Sequence, residues 1–127
     1  MKKSFIDQTF VQECRSRLVQ LKSELLNRIL GLRRDFSLED KSSGDEIDQT
    51  VAQQSENTFL ITQERLRRQV MEIEFALGRI ESGHFGFCEE TDEPIEVERL
   101  RALPYTRLSI EGAEIRERLD RKFAKPS

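Results

Sequence analysis

At 127 residues the chain has room for one domain, and an apolar share of 36% against a charged share of 35% leaves too little for a thick globular core. Its 21 basic and 24 acidic residues are mixed along the sequence to a net charge of −3, which gathers no basic face and argues against direct DNA binding. Cys14 and Cys88 follow no pairing pattern, the start has two lysines but no apolar run after them, and no stretch approaches the roughly 20 apolar residues of a membrane span. A cytoplasmic protein without membrane attachment is expected.

From about Phe5 to Asp35, Val11, Cys14, Leu18, Leu21, Leu25 and Leu32 recur at alternating three- and four-residue steps, a heptad seam in which Arg28 fills one expected apolar slot. Cys14 lies on this seam and reads as a small buried apolar residue. The stretch Ser37–Thr50 interrupts the pattern. Ser42, Ser43 and Gly44 continue a helix poorly, and Asp45 offers a cap for a new one with Glu46 and Asp48 in its first turn. Asp40, Asp45, Glu46 and Asp48 make this an acidic tip.

Beyond the tip, Ile47, Val51, Phe59, Leu66, Val70, Ile73, Leu77 and Ile80 resume the rhythm. Two seams joined by a short polar turn fold back as an antiparallel pair, each limb of roughly 30 residues spanning about 45 Å. Gln53–Thr58 has little to pack, so the end of the arm is held more weakly than its base. Glu64, Arg65, Arg67 and Arg68 read as a solvated outer face.

At Ser82-Gly-His-Phe-Gly-Phe87 two glycines end the helix and open a compact, turn-rich knuckle lasting to about Leu108, with Ile95, Val97, Leu100, Leu103 and Leu108 as its core. A last helix from about Ser109 to Phe123 is expected to bury Ile110, Ile115 and Leu119, followed by a disordered tail, Ala124–Ser127. The fold class is mainly α: a coiled-coil hairpin over 1–82, with its tip at about 37–50, then the knuckle and a C-terminal helix over 83–127.

Gly83-His-Phe-Gly-Phe-Cys88, Ile95-Glu-Val-Glu-Arg-Leu-Arg-Ala-Leu-Pro104 and Leu108-Ser-Ile-Glu111 resemble the C-terminal module of the DksA/TraR family, bacterial regulators that bind RNA polymerase. The resemblance covers about Asp45 to Leu119. It implies a hairpin that enters the polymerase's secondary channel and an acidic tip that acts near the catalytic centre. Asp45, Asp48 and Thr50 match the family's tip pattern, and Arg65 matches a basic arm position that engages the polymerase rim.

The family's four zinc-binding cysteines stand here as Cys88, Thr91, Ser109 and Gly112. Aliphatic hydroxyls stay protonated near neutral pH and glycine has no side chain, so no zinc is expected and the knuckle must hold by apolar contacts. His84 precedes Cys88 without the further donors a metal needs. The resemblance also implies a site for the alarmone ppGpp, but its basic positions hold Glu72, Leu103 and Ala113, and a glutamate in place of a lysine repels a polyanion. The expectation is therefore a monomeric regulator of transcription without cofactor, related to the stringent response, and not an enzyme, since no nucleophile–base pair or phosphate loop is present. The alternative is a coiled-coil adaptor with the family fold and another protein partner.

Overall fold

The computed structural model describes residues 6–42 and 48–124, with 39–42 by backbone only. Four helices follow in order: α1 (Gln8–Ser42), α2 (Gln49–Ser82), α3 (Val97–Ala102) and α4 (Ile110–Phe123). Asp7 opens α1, its Oδ1 accepting from Phe10 N at 2.8 Å and its carbonyl from Val11 N at 3.1 Å. Two compact units result, Gln20–Ile73 and the combination of Met1–Val19 with Glu74–Ser127, so the division falls inside α1 and α2. No helix among the described residues is long and apolar enough to cross a membrane.

In the unit Gln20–Ile73 the two helices run antiparallel. Phe36 stacks on Phe59 with ring centroids 4.3 Å apart, while Leu25, Ile29, Leu66 and Ile73 are buried. The stack explains why α1 outlasts the expected end near Asp35: Phe36 has a partner and carries the helix to Ser42. The interruption expected at Ser37–Thr50 is correspondingly narrower. From Asp48 to Thr58 every residue is exposed, as the polar composition suggests, and Val51 is 55% exposed instead of lying on the seam. Ile47, another expected seam residue, lies outside the described residues.

The seam differs from strict heptads at one step. Arg28 is exposed and Ile29 is buried in its place, so the steps from Leu25 run four, three and four through Ile29, Leu32 and Phe36. An α-helix has about 3.6 residues per turn, and a strict seven-residue repeat drifts unless a four-residue step is added. Across the seam Gln63 is only 8% exposed and its Nε2 has no hydrogen-bond partner among the described residues. An unpaired buried amide costs about 1–3 kcal/mol, and a polar residue at such a place fixes register at the expense of stability.

In the other unit α2 ends in a Schellman motif. His84 N donates to Arg79 O at 2.9 Å and Gly83 N to Ile80 O at 3.3 Å, with Gly83 at φ 80°. The chain then turns into the knuckle, whose only β pairing among the described residues is the bridge between Phe87 and Pro94. Cys14, Phe85, Cys88, Ile95 and Leu100 form the core, flanked by Ile6, Phe10, Val11, Ile80 and Leu108. Gly86 has φ 95°, a left-handed conformation that requires glycine, and a Cβ there would meet only the movable end of Ile6, Cδ1, at 2.8 Å.

The last helix corrects one expectation. Ile110 is 50% and Leu119 43% exposed, and Ile115 is half-buried, because α4 turns its glycine toward the core: Gly112 is buried. Of the expected tail, residues 125–127 lie outside the described residues.

The register makes a direct prediction. Ile29→Ala should lower the unfolding free energy by about 2–4 kcal/mol through lost burial and a cavity, and Arg28→Ala by less than about 0.5 kcal/mol. Urea unfolding of the two variants checks it, and equal losses would restore the strict heptad.

Candidate functional site

Two places carry the residues singled out in the sequence. The first is the start of α2. Asp48 precedes it, its Oδ1 accepting from Thr50 N at 3.1 Å and its carbonyl from Ala52 N at 3.0 Å. Asp48 is therefore the cap itself, where the sequence suggested Asp45 as cap and Asp48 in the first turn. Its carboxylate is exposed at the positive end of the helix dipole, next to exposed Thr50. Asp45 and Glu46 lie outside the described residues, as does the side chain of Asp40. Arg65 is exposed on α2, fifteen residues past Thr50 and so about 22 Å along the axis; the structure does not gather it with the cap.

The second place is the knuckle, where Cys88, Thr91, Ser109 and Gly112 converge. Cys88 is 1% exposed. Burial pushes its thiol up, but hydrogen bonds from the side chains and backbone of Ser109 and Thr91 hold it lower, to about 7. A Cβ at Gly112 would lie 2.3 Å from Cys88 Sγ and 3.3 Å from Ser109 Oγ, so α4 sits directly on the sulfur. Ser109 caps α4, its Oγ accepting from Gly112 N at 3.0 Å.

Backbone and charged groups tie the same two segments. Cys88 N donates to Glu93 O at 2.8 Å, Asp92 N to Cys88 O at 2.9 Å, and Glu89 N to Arg107 O at 2.9 Å. Arg116 Nη2 reaches Glu90 Oε2 at 2.9 Å, and the Glu96 carboxylate accepts from Ile110 N at 3.1 and 3.2 Å. Arg99 Nε donates to Leu108 O at 2.7 Å. The hairpin end joins in: Arg79 Nη2 donates to Tyr105 O at 3.3 Å, Arg17 donates to Arg101 O, and the Arg101 guanidinium lies 5.4 Å from the Phe10 ring centroid.

Sequence reasoning did not find Ala76 or Pro104, both fully buried, nor the short helix α3, whose Leu100 is also fully buried. Small residues and a six-residue helix leave no periodic signal.

Residues 83–118 match the model of the prokaryotic dksA/traR C4-type zinc finger. The chain is 31% identical over 117 residues to the RNA polymerase-binding transcription factor DksA of Caulobacter vibrioides, covering 92% of this chain and 82% of that one. The chain belongs to the DksA/TraR family. The solved structure of transcription factor DksA2 from Pseudomonas aeruginosa superposes with a TM-score of 0.83 at 30% identity, covering 92% of this chain and 90% of that one. The Dks structure from Chlamydia trachomatis, at 16% identity and a TM-score of 0.56 over 95% of this chain and 99% of that one, shares the fold.

Set against a four-cysteine site, the DksA/TraR knuckle of this chain offers one thiol, two hydroxyls and a backbone glycine, and its fourth corner is filled by the contact of Gly112 with Cys88 Sγ. This donor set does not fit tetrahedral zinc. His84 adds nothing to it, being exposed with Nδ1 3.0 Å from Ser82 Oγ.

Two outcomes follow from the packing at Cys88. Gly112→Ala gains up to about 1 kcal/mol of helix propensity but drives a methyl group into the sulfur, an overpacking worth about 1–3 kcal/mol. The net should be destabilising, and Cys88→Ala in the same chain should recover part of the loss; thermal unfolding of single and double variants measures both. The second concerns pH. Because the folded thiol is held near 7 against an ordinary 9.0, the wild type should gain stability relative to Cys88→Ala as pH rises from 7 to 9 and lose that advantage below 7. A difference that stays flat across the window would contradict the hydroxyl cradle.

Proposed function

We propose that this chain is a cytoplasmic regulator of transcription that binds RNA polymerase and acts through the acidic end of its hairpin, without zinc and without chemistry of its own. The observation that carries the reading is 31% identity across 92% of the chain to a protein named for binding RNA polymerase.

The residues support a division of labour. A helix of 34 residues spans about 51 Å, so a limb of this kind suits insertion of one end into a narrow channel. Asp48 at the start of α2 is held by its own backbone bonds and is free of a salt bridge among the described residues, which leaves its charge for a partner. Arg65, exposed along the limb, serves contact with the channel entrance. The knuckle keeps its shape through the thiol–hydroxyl cluster and the Arg116–Glu90 pair instead of a metal. Glu72, Leu103 and Ala113 supply no cation for a polyphosphate, so regulation by ppGpp in the family manner is not part of the proposal.

The test uses Asp48→Asn. Asparagine caps a helix about as well as aspartate, so the variant removes charge while keeping structure. It should co-purify with polymerase at wild-type levels, and its effect on initiation at a responsive promoter should fall at least about tenfold, the result of losing one charged contact worth roughly 1.5–3 kcal/mol. Prior treatment with a strong chelator should change neither result. A wild-type chain that fails to bind polymerase, or a variant that regulates as well as the wild type, points to the adaptor reading instead.

A further inference from the structure

Asp48 stands at the end of a long stretch with little lateral support. Beyond Phe36 and Phe59 every described side chain of the hairpin is exposed: Ser37 and Leu38 on α1, and residues 48–58 on α2. The two rings, with centroids 4.3 Å apart and planes 13° from parallel, are the last point, going outward, at which described side chains are even half-buried. Asp48 lies eleven residues from Phe59, about 16 Å along the axis.

The layer below the rings is a poor substitute for them. With Phe36 level with Phe59 in an antiparallel pair, Leu32 is level with Gln63, four residues on from each ring, and Ile29 with Leu66, seven on. Gln63 is buried with an unpaired Nε2 among the described residues, and Leu32 is only half-buried. Gly31, beside Leu32, lowers the helix propensity of α1. A layer that holds an unsatisfied amide gives up stability instead of adding it. The next apolar layer is Ile29 with Leu66, 8% and 3% exposed, and it lies eighteen residues from Asp48. Phe36 and Phe59 thus shorten the unsupported end from about 27 Å to about 16 Å.

The consequence falls on the carboxylate. A rod clamped at one end sways with a mean-square amplitude that grows as the cube of its free length, so without the stack Asp48 would sweep an area about fourfold larger. A group that occupies its working position for a smaller fraction of the time acts as though diluted by that fraction. The rings are half-buried, so they add less to stability than Ile73, which is 2% exposed. What they add that Ile73 does not is a hold close to the tip.

We propose that the Phe36–Phe59 stack is a positioning contact that aims the Asp48 carboxylate by clamping the outer arm, and that its loss spares polymerase binding while weakening the effect on initiation. The clamp is a property of the hairpin alone; its effect on initiation rests on the proposed function.

The experiment compares the wild type, Phe59→Ala, Phe59→Tyr and Ile73→Ala at a temperature where circular dichroism shows each to be fully helical. Phe59→Tyr keeps a ring to stack, and Ile73→Ala removes a more deeply buried contact at the far end of the unit. Spin-labelled amino acids at exposed Leu38 and Asn57, beyond the stack, and at exposed Glu24 and Met71, well below it, report the spread of distances between the limbs. Phe59→Ala should broaden the outer distribution and leave the inner one unchanged. It should co-purify with polymerase as the wild type does, yet at least about threefold more protein should be needed for the same effect at a responsive promoter. Phe59→Tyr and Ile73→Ala should match the wild type in both the outer distribution and the promoter effect. An outer distribution that does not broaden in Phe59→Ala, a Phe59→Ala chain that regulates as well as the wild type, or an Ile73→Ala chain that loses as much overturns the proposal. A wild type without effect on initiation overturns the proposed function instead, and the label distances alone then decide whether the stack clamps the arm.

Discussion

One file of apolar side chains between α1 and α2 decides which faces of the two helices are buried in the unit Gln20–Ile73. Leu25, Ile29, Leu66 and Ile73, closed by Phe36 on Phe59, set which faces of the helices turn outward. The strict heptad and the observed seam both pass through Leu25 and Leu32, so the four-residue step exchanges Arg28 for Ile29 between them and leaves Arg28 in solvent. Gln63 contributes in the opposite sense, since its buried amide weakens the seam while opposing any shift that would place it elsewhere.

In the knuckle, the two segments that carry the family's zinc-ligand positions are joined by direct contacts. A C4-type site ties two short segments through one ion, with a contribution on the order of 10 kcal/mol in small domains. Here the segments at 88–91 and 109–112 are tied by a thiol among hydroxyls, a helix packed on that thiol, an ion pair and a carboxylate on the first amide of α4. Each such contact is worth about 1 kcal/mol, so the work is distributed and no single one replaces the ion. Distribution also explains why Gly112 has no freedom: the absence of a side chain is what lets α4 close over Cys88.

Much of this was legible in residue spacing. The two limbs, their antiparallel return, Cys14 in the core and the glycine stop at Ser82 follow from periodicity and from the conformations glycine allows. Ser109 and Thr91 were legible as lost ligands but not as donors to Cys88, because a hydroxyl's partner is set by tertiary approach. The cap at Asp48 was missed by one turn, since several acids close together offer equally good caps and residue type does not choose among them. Ile110 and Leu119 were placed in the core on hydrophobicity, but the buried face of α4 is chosen by its small residue. The relative from Caulobacter vibrioides is named for binding RNA polymerase, a partner to which geometry alone does not point.

In the proposed function the start of α2 reaches the interior of RNA polymerase. A photo-crosslinking amino acid placed at Gln49, beside Asp48 and exposed, reports on it directly. Crosslinks to the polymerase subunit surrounding the catalytic centre are expected, lost on addition of another factor that occupies the same channel. Crosslinks confined to the outer surface of the enzyme, or none from a chain that still binds, contradict it.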